Sequence, residues 1–497
     1  MTMPSDADTP NLESAELRLH PLSWLFELFN VLKQFIVPLL VLLVGGRGNQ
    51  YELWGLAGIG IMVPVAVARY FTFRYRIGND RVVIRSGLLH KTVRDIAFTR
   101  VQNVTLHQSL LHRLMDVAEV RLETGGGEKE EGRMRVLGFA AAQQLQRTIR
   151  SHETLPGTAM ATDSGHDEDV LLQLSTRELI KHGLISNKGM LIVAAGFGGL
   201  MQMNWELPQR AMEQAGRWLW DHSGDLAQNS MVSYVMGAAS LLLVAFVLLR
   251  IFSIVQALLH YHGFTLSGNQ HRLSIQRGLL NRFNGSLPRT RIQAWTVRQG
   301  WLQRRFQRYG LSVDAAAGKT KSEALDSNWQ LAPIADAESV TRIAEHVLPP
   351  GSWPIIEWNP LHPKAWQREF KKPALLLLPA TALCVYAAGP YGLLLLLGIP
   401  WLYLKSKLWA KHAGYSFNGA LFAVREGWIG KHWRFAETAK VQAAYIKQSP
   451  FDRRYGMASV FLDTVNAGNF EPPLAVRYLP VQEAQALQRE ISAIIAR

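Results

Sequence analysis

The sequence predicts an α+β membrane protein in which an apolar hairpin and a small antiparallel β-domain with a closing helix occur three times. Windows that begin at Gly87, Gly278 and Gly427 align without a gap at offsets of 191 and 340 residues. Apolar runs come in pairs, and each pair ends just before one of these windows. Because the distance between the aligned windows far exceeds the roughly 20 to 50 residues of a solenoid repeat, the repeated unit is a domain.

Six apolar runs approach or exceed the roughly 20 residues that cross a bilayer. They lie at residues 24–44, 51–72, 187–204, 231–259, 372–388 and 390–404. A buried core helix is the alternative for the shorter runs. The sequence therefore predicts six transmembrane helices in three hairpins. Residues 1–23 are polar and acidic, which predicts an uncleaved anchor and no signal peptide.

Charge placement predicts how these hairpins are oriented. The connections at 45–50, 204–229 and 387–391 contain only three of the 53 Lys and Arg residues, whereas the opposite ends of the spans are basic. By the positive-inside rule, the three β-domains and both termini face the cytoplasm. We therefore expect a multi-pass protein of the inner (cytoplasmic) membrane. Lys33 and Arg250 lie nearer the interiors of spans and are expected to snorkel toward the headgroups.

Each β-domain is predicted to open with a strand, a turn and a strand, because β-branched and aromatic residues flank Gly, Asn and Asp. These segments are Tyr75–Arg85, Phe264–Gln276 and Tyr415–Arg425. Shorter alternating stretches follow in each copy. Apolar residues at helical spacing then predict a closing helix. The closing segments are Ala140–Ile149, Ala335–Val347 and Val481–Ile495.

These elements predict where the domains begin and end. Residues 1–72 form the N-terminal segment and hairpin 1, 73–151 domain 1, 152–186 a linker, 187–260 hairpin 2, 261–348 domain 2, 349–406 a linker with hairpin 3, and 407–497 domain 3.

The aligned windows share a signature of one glycine, one basic residue and one glutamine. Its members are Gly87, Arg100, Gln102, Gly278, Arg291, Gln293, Gly427, Lys440 and Gln442. A residue type kept in three copies is needed by the fold more readily than by one ligand. We therefore expect the glycines to supply turns with positive φ and the glutamines to satisfy backbone groups.

Two further residues recur at fixed spacing, an arginine and, ten positions later, an acid. The pairs are Arg113 with Glu123, Arg304 with Asp314, and Arg453 with Asp463. This spacing predicts a buried ion pair inside each domain.

A small antiparallel sheet with a closing helix and a preceding membrane hairpin resembles the bacterial pleckstrin-homology (PH) domain family, in particular its YdbS/YdbT-like membrane proteins. The residues that carry this resemblance are G-L-L at Gly87–Leu89 and Gly278–Leu280, R-V-Q at Arg100–Gln102, R-I-Q at Arg291–Gln293, Q-S-L-L-H-R at Gln108–Arg113, and L-H-P at Leu19–Pro21 and Leu361–Pro363. The resemblance covers nearly the whole chain. It implies a PH-like β-sandwich closed by a helix, and no established catalytic activity. The third copy departs from the pattern at Lys440 and Pro450.

Patterns of catalytic or cofactor-binding residues do not emerge from the sequence. It contains no G-x-x-x-x-G-K-[ST], H-E-x-x-H or G-x-S-x-G motif, and its single cysteine, Cys384, lies in an apolar run. We therefore expect no catalytic, cofactor-binding or metal-binding residues and no enzyme activity. His20 and His362 precede prolines at the start of apolar runs, which indicates a role in starting a helix.

The second copy is the most basic, with eleven Lys and Arg against three acids in residues 264–330. One segment of it mixes large aromatics with arginines, and its candidate contact residues are Trp295, Arg298, Trp301, Arg304, Arg305 and Arg308. Such a mixture suits an anionic membrane surface or a protein partner. The alternative is that the aromatics form core and the arginines a solvated face. Nucleic acid is disfavoured, because the basic balance follows from the positive-inside bias.

Two functions from different classes remain open at this level. The first is a non-enzymatic scaffold whose three cytoplasmic domains bind a protein partner, one another or anionic lipid. The second is a transporter-like or lipid-handling protein in which the six-helix bundle is the working part. The first is favoured because a solute pathway normally needs polar groups at mid-membrane depth, and the predicted spans are mostly apolar there.

Overall fold

The structure, a computed structural model, describes residues 17–18, 68, 71–78, 80–87, 91–124, 132–152, 169–186, 230–269, 271–315, 329–348, 353, 355, 357–464 and 474–496. These residues belong to two compact units. Unit 1 comprises 1–164, 174–264 and 276–285, and unit 2 comprises 165–173, 265–275 and 286–497. The second repeat contributes to both units.

Unit 1 contains the first β-domain. One of its sheets has the order β1 (Leu17–Arg18), β2 (Arg74–Ile77), β3 (Arg81–Ser86), β4 (Thr92–Ala97). A second antiparallel group is β5 (Val101–Gln108), β6 (Val117–Thr124) and β7 (Gly132–Gly138). The helix Phe139–His152 closes the domain, and Leu145 and Ile149 from this helix pack in one core with Val82, Phe98 and Leu122. This arrangement confirms the predicted antiparallel domain with a closing helix.

A strand of the second repeat extends the first domain. In β11 (Arg282–Pro288), residues 282–284 pair with β5 in the antiparallel sense, Arg282 opposite Gln108. Unit 1 also contains the helices Thr176–Ile185 and Ser230–Tyr261, which pack closely, since a Cβ on Gly183 would lie 2.5 Å from the Cα of Ile254.

Unit 2 contains the third β-domain and the part of the second that joins it. One sheet has the order β14 (Trp329–Ala335), β13 (Tyr309–Ala315), β12 (Ile292–Gln299), β18 (Lys431–Glu437), β17 (Leu421–Glu426), β16 (Gly414–Phe417), β15 (Asn359–Pro360). The other strands of this unit are β8 (Asp169–Gln173), β9 (Thr265–Gly268), most of β10 (Arg272–Arg277), β19 (Val441–Lys447), β20 (Met457–Thr464) and β21 (Leu474–Pro480). The closing helices are Ala337–Val347 and Val481–Ile495.

The first strand of each repeat precedes its apolar hairpin, which the sequence interpretation missed. β1 pairs with β2, β8 with β9, and β15 with β16, and in each pair the two partners flank the hairpin segment along the chain. The predicted linkers 152–186 and 349–406 therefore contain a strand each. These strands escaped prediction because two of them are two residues long and one of those ends on Pro360.

Three helices of the described residues are long and apolar enough to cross a membrane, Leu243–Tyr261, Ala365–Ala387 and Gly389–His412. They correspond to the predicted runs 231–259, 372–388 and 390–404. The third hairpin turns at Gly389, whose φ is 66°, and continues through the 3-10 segment Gly389–Leu397 into the helix Gly398–His412. The runs at 24–44 and 187–204, and nearly all of 51–72, lie outside the described residues, so six spans stay a prediction.

Arg250 ties the second hairpin to the preceding helix. Its Nη1 donates to the carbonyl oxygens of Leu184, at 3.0 Å, and Ser186, at 3.2 Å, which end the helix Thr176–Ile185. Its guanidinium also lies 4.9 Å from the ring centroid of Phe246. The predicted snorkelling charge is therefore a helix-terminating donor. Lys33 lies outside the described residues.

The signature glycines adopt the expected conformation. Gly87, Gly278 and Gly427 have φ of 116°, 106° and 92°. A Cβ at Gly278 or Gly427 would collide with the carbonyl oxygen of Asn281 or Gly430, respectively. The positive φ and this close approach each exclude other residues from the turn. The structural interpretation of the glycines is confirmed.

The glutamines divide into two groups. The signature residue Gln293 is buried, with its Nε2 3.5 Å from the oxygen of Arg291, whereas Gln442 is exposed, and the side chain of Gln102 lies outside the described ones. A second glutamine recurs six positions after the signature glutamine, and in the first and third repeats it makes a clear backbone contact. Gln108 Nε2 donates to Val117 O at 3.0 Å and Gln448 Nε2 donates to Met457 O at 2.9 Å.

The predicted ion pair within each domain is wrong for the second copy. Asp314 accepts a 2.5 Å hydrogen bond from Arg434 of the third repeat, while Arg304 is exposed. In the third copy, Arg453 and Asp463 are both exposed, so they do not form the predicted buried pair. The spacing misled because the strand β18 brings a competing arginine beside Asp314, which sequence separation along one copy does not show.

Candidate basic and aromatic site

Every repeat places a short helix after the strand that follows its signature. These helices are Leu110–Leu114, Trp301–Arg305 and Pro450–Arg454. Each is followed by a residue with positive φ at the same repeat position, Asp116, Gln307 and Gly456. The contact segment predicted in the second copy therefore consists of the end of β12, this helix and the following turn.

In the third repeat, the short helix is fixed to the membrane hairpin. Arg368 Nε donates to Asp452 Oδ1 at 2.7 Å, and Arg368 Nη2 donates to Ser449 Oγ at 2.9 Å. The Arg368 and Asp452 side chains are both 10% exposed. Burial disfavours the charged form of Asp452, yet hydrogen bonds from Ser449 and Arg368 outweigh it and hold the pKa of this carboxyl below its usual value. Pro450 is compatible with the fold because it occupies the first turn.

Further contacts join the third domain to the same helix, Ala365–Ala388. The Lys371 ammonium lies 5.0 Å from the ring centroid of Tyr455, and the Tyr478 hydroxyl donates to Glu369 Oε2 at 3.3 Å. Burial raises the pKa of Tyr478. At the start of this helix, His362 Nδ1 accepts the backbone N–H of Lys364 at 3.1 Å, in agreement with the predicted helix-start role of the L-H-P motif.

In the first repeat, the short helix contacts the glycine turn of the next repeat. Arg113 Nη1 donates to Leu279 O at 3.0 Å, and Leu279 N donates to Leu259 O in the apolar helix Ser230–Tyr261. The glycine turn therefore lies at the end of a helix that is long and apolar enough to cross a membrane. Leu110, Leu111 and Leu114 of the short helix are exposed.

In the second repeat, the short helix exposes both aromatic and basic side chains. Trp301 is 64% exposed, Phe306 is 41% exposed, and Arg304 and Arg305 are exposed beside them. Arg298, near the end of β12, is also exposed, and Arg308 is half-buried. The structure thus brings most of the predicted contact residues to the surface. Trp295 is the exception, because it is 4% exposed within the sheet, opposite Val313 and Phe435, and is removed from the candidate surface.

Two basic residues of the third repeat complete this surface. Lys431 lies opposite Gln299 at the start of β18, and Arg425 lies opposite Trp433 on the adjacent strand. Burial lowers the pKa of Lys431, and the nearby charges of Arg304 and Arg425 lower it further. Burial also lowers the pKa of Arg425. A bound anion would offset the repulsion that Arg304 and Arg425 exert on the Lys431 ammonium.

An aromatic pocket adjoins these cations. It has a volume of about 230 Å³ and lies between β12, β13, the helix Ala337–Val347 and β18. Its aromatic lining consists of Tyr309, Trp353, Trp358, Trp433 and Phe435. The Arg425 guanidinium lies 4.8 Å from the ring centroid of Trp358, so the cationic group and the apolar pocket are continuous.

The glycine turn of the third repeat lies beside an apolar helix. Trp428, which follows Gly427, has its ring centroid 6.0 Å from that of Trp401 in the apolar helix Gly398–His412. Ile429 is 40% exposed on the same turn. Lys431 lies two residues after Ile429, so this basic residue is next to a turn that contacts an apolar helix.

Sequence reasoning missed Arg425, Lys431 and the pocket. The signal available was a basic residue that recurs at the first position of the fourth strand, or directly before it, in each domain: Lys91, Arg282 and Lys431. Its significance depends on the pairing of β12 with β18, which joins residues more than a hundred positions apart.

The repeated antiparallel β-domain, together with three helices that are long and apolar enough to cross a membrane, defines a class of membrane protein with tandem β-domains. The chain matches the family described as Bacterial PH domain at residues 27–153, 228–348 and 373–494, and it belongs to that family. The chain is also similar to the UPF0699 transmembrane protein YdbT of Bacillus subtilis (strain 168), with 22% identity over 489 residues that cover 94% of this chain and 96% of that protein. The resemblance drawn from the signature residues is thereby confirmed. No solved structure matches the chain.

Proposed function

We propose that this protein is a non-enzymatic scaffold of the cytoplasmic membrane, whose PH-like domains face the cytoplasm and whose second and third domains together bind anionic lipid headgroups. The observation that carries the proposal is the cationic group of Arg304, Arg425 and Lys431. It combines residues of two repeats beside an aromatic pocket and beside a turn whose Trp428 contacts Trp401 of an apolar helix.

Electrostatics supports a negatively charged ligand. Each Lys or Arg close to an anionic leaflet contributes about 1 kcal/mol to membrane attraction. A domain that the hairpin already holds at the surface needs only weak additional contacts, because tethering raises the local concentration of lipid. A headgroup phosphate beside Lys431 would also offset the repulsion that Arg304 and Arg425 exert on this ammonium group.

The exposed aromatics support a membrane in preference to a soluble anion. Trp301 and Phe306 lie on the same short segment as Arg304 and Arg305, and such side chains insert into the boundary between headgroups and acyl chains. A phosphate in solution would use the cations alone. The scaffold proposal follows from this positioning, since bound headgroups would fix the domains against the bilayer.

The test uses the full-length protein in lipid nanodiscs. In a Cys384→Ser background, Trp301→Cys is labelled with an environment-sensitive fluorophore, and the lipid is either pure phosphatidylcholine or a mixture with phosphatidylglycerol. We expect a blue shift of the probe only with the anionic lipid, because the segment then enters the headgroup layer. Arg304→Glu with Arg305→Glu should abolish this shift.

A matched control exists in the third repeat, where Arg453 and Arg454 occupy the positions of Arg304 and Arg305. Their change to Glu should leave the shift at position 301 intact. Inorganic phosphate added to phosphatidylcholine nanodiscs should produce no shift. An equal response in both lipids, or retention of the response after Arg304→Glu and Arg305→Glu, would overturn the lipid proposal and favour a protein partner for this surface.

A further inference from the structure

Neighbouring repeats are joined by strand pairing, and both observed junctions use the same register. Gln108 lies opposite Arg282 where β5 meets β11, and Gln299 lies opposite Lys431 where β12 meets β18. Gln299 is 191 residues beyond Gln108, and Lys431 is the aligned counterpart of Arg282 in the third window. The junction is therefore a property of the repeat, formed by one edge of each domain and the opposite edge of the next.

The series of repeats leaves two such edges at its ends. β4 of the first domain occupies the repeat position of β11 and β18, and β19 of the third domain occupies that of β5 and β12. In the described part of the chain, β4 and β19 are each the terminal strand of their sheet. Val93 on β4 is 60% exposed and Tyr445 on β19 is 40% exposed, whereas their counterparts in the second junction lie within a continuous sheet.

We propose that β19 of one copy of this protein pairs with β4 of a second copy, in the register of the internal junctions. This register places Gln448 opposite Lys91, Ile446 opposite Val93, and Tyr445 opposite Arg94. An apolar residue then faces an apolar residue, and an aromatic ring faces a guanidinium. Unpaired strand edges are templates for such addition because their backbone N–H and C=O groups gain partners.

Charge complementarity supports the same register. At the second junction, buried Asp314 of β13 binds buried Arg434 of β18. The aligned positions at the open edges hold Asp463 on β20 and Arg94 on β4, and both side chains are exposed. The acid and arginine that bind each other inside one junction are therefore both present where the next junction would form. We infer that they pair between copies.

The occupant is a second copy, because the internal junctions show which strand each edge accepts. One edge of a domain binds the opposite edge of another, so the contact is head-to-tail and repeats along successive copies. Membrane anchoring favours it, because copies in one bilayer present their domains on the same side and diffuse in two dimensions.

Disulfide cross-linking between differently tagged copies tests the proposal. Both copies carry Cys384→Ser, one also carries Val93→Cys, and the other carries Ile446→Cys. Directly opposite residues of antiparallel strands have Cβ atoms about 4.5 to 5.5 Å apart, close to the range that a disulfide spans. We expect oxidation in membranes to link the two tags. Tyr445→Cys in place of Ile446→Cys should not link to Val93→Cys, because its side chain points to the other face of β19.

The internal pair Arg298→Cys and His432→Cys serves as a positive control, since these residues lie opposite each other at the second junction. If this control forms its disulfide within one chain and the Val93→Cys and Ile446→Cys copies do not link, the proposal is overturned. A single chain with both Val93→Cys and Ile446→Cys that links only to itself would also overturn it, in favour of closure within one copy.

Charge exchange tests the register separately. Arg94→Glu or Asp463→Arg alone should lower the yield of the link between copies by about fivefold. The two changes together should restore the yield, because the pair is then re-formed in reverse. Loss in both single variants without recovery in the double variant would show that the two side chains do not meet, and the proposed register would be wrong.

Discussion

The short helices of the second and third repeats occupy the same place in the domain and differ in what surrounds them. In Pro450–Arg454, Asp452 accepts the guanidinium of Arg368 and thereby binds the domain to its own membrane hairpin. In Trp301–Arg305, the corresponding position is Gln303, whose side chain accepts the backbone N–H of Gly300. One acid therefore distinguishes a helix that anchors the domain from a helix that exposes Trp301 and two arginines.

This difference shows how a repeated domain acquires separate tasks. The fold needs the helix to be capped, and Ser449 or Gln303 satisfies that need in either copy. The remaining positions are then available for other contacts. The third copy uses them for a buried ion pair, and the second keeps cations and an aromatic ring at the surface.

The largest effect on stability is expected from removing the Arg368–Asp452 ion pair, which binds the third domain to its apolar helix. Arg368→Ala leaves the Asp452 carboxylate buried without its cation, which should lower the stability of the third domain by about 3 kcal/mol. The measurement is thermal unfolding of the protein in nanodiscs. Arg453→Ala on the same helix is the control and should have little effect, because Arg453 is exposed. Equal losses in the two variants would contradict the anchoring role of the pair.

A smaller loss of stability is expected from a substitution in the glycine turn that contains Trp428. Gly427→Ala places a Cβ against Gly430 O and imposes a positive φ on alanine, which should cost about 2 kcal/mol. Gly430→Ala in the same turn should be tolerated, because a Cβ there meets nothing within 4 Å. Thermal unfolding compares the two variants. Equal unfolding temperatures for the two variants would show that the turn does not require glycine at position 427.

A single charge reversal near the second short helix should weaken membrane contact without unfolding the domain. Lys431→Glu should raise the fraction of anionic lipid needed for half of the response of a probe at position 301. The expected change is about tenfold in apparent affinity, since one favourable charge of about 1 kcal/mol is lost and a repulsive one is added. Lys447→Glu on exposed β19 is the matched control, and a comparable shift there would show that only net charge matters.

The smallest effect is the pH dependence of the anchor. Because the pKa of Asp452 in the folded state lies below its usual value, its contribution to stability is present above the unfolded pKa and is lost as the pH falls through the folded pKa. Near neutral pH, the Asp452→Asn variant should therefore be less stable than the native protein. Between about pH 5 and pH 3, the variant should lose less stability than the native protein loses. Thermal unfolding across this range measures the difference. Parallel curves would show that Asp452 titrates normally.

Elements could be predicted from the sequence where they depend on residues that are close together in the chain. The turn glycines Gly278 and Gly427, the closing helices and the spans near residues 231–259 and 372–404 all follow from conformational freedom, periodicity and apolar length. The strands before each hairpin were not predictable, since β1 and β15 are two residues long and gain their partners only after a membrane hairpin has intervened.

The candidate site was predicted in part. The exposed Trp301, Arg304 and Arg305 were identified from the mixture of aromatic and basic residues, because that mixture is a local property of the chain. Trp295 belongs to the same stretch, but its side chain is buried within the sheet. Successive side chains of a strand point to opposite faces, so a local mixture of residues does not show which of them are exposed.

By itself, the sequence determined that one anchored domain occurs three times, since equal residues at constant offsets require equal local structure. Only the tertiary structure decided which copies meet. Asp314 binds Arg434 of the next repeat and not Arg304 of its own, and the charge of Arg304 acts on Lys431 because β18 extends the sheet of β12. Strand pairing between domains depends on which edges are available in space, and separation along the chain does not encode it.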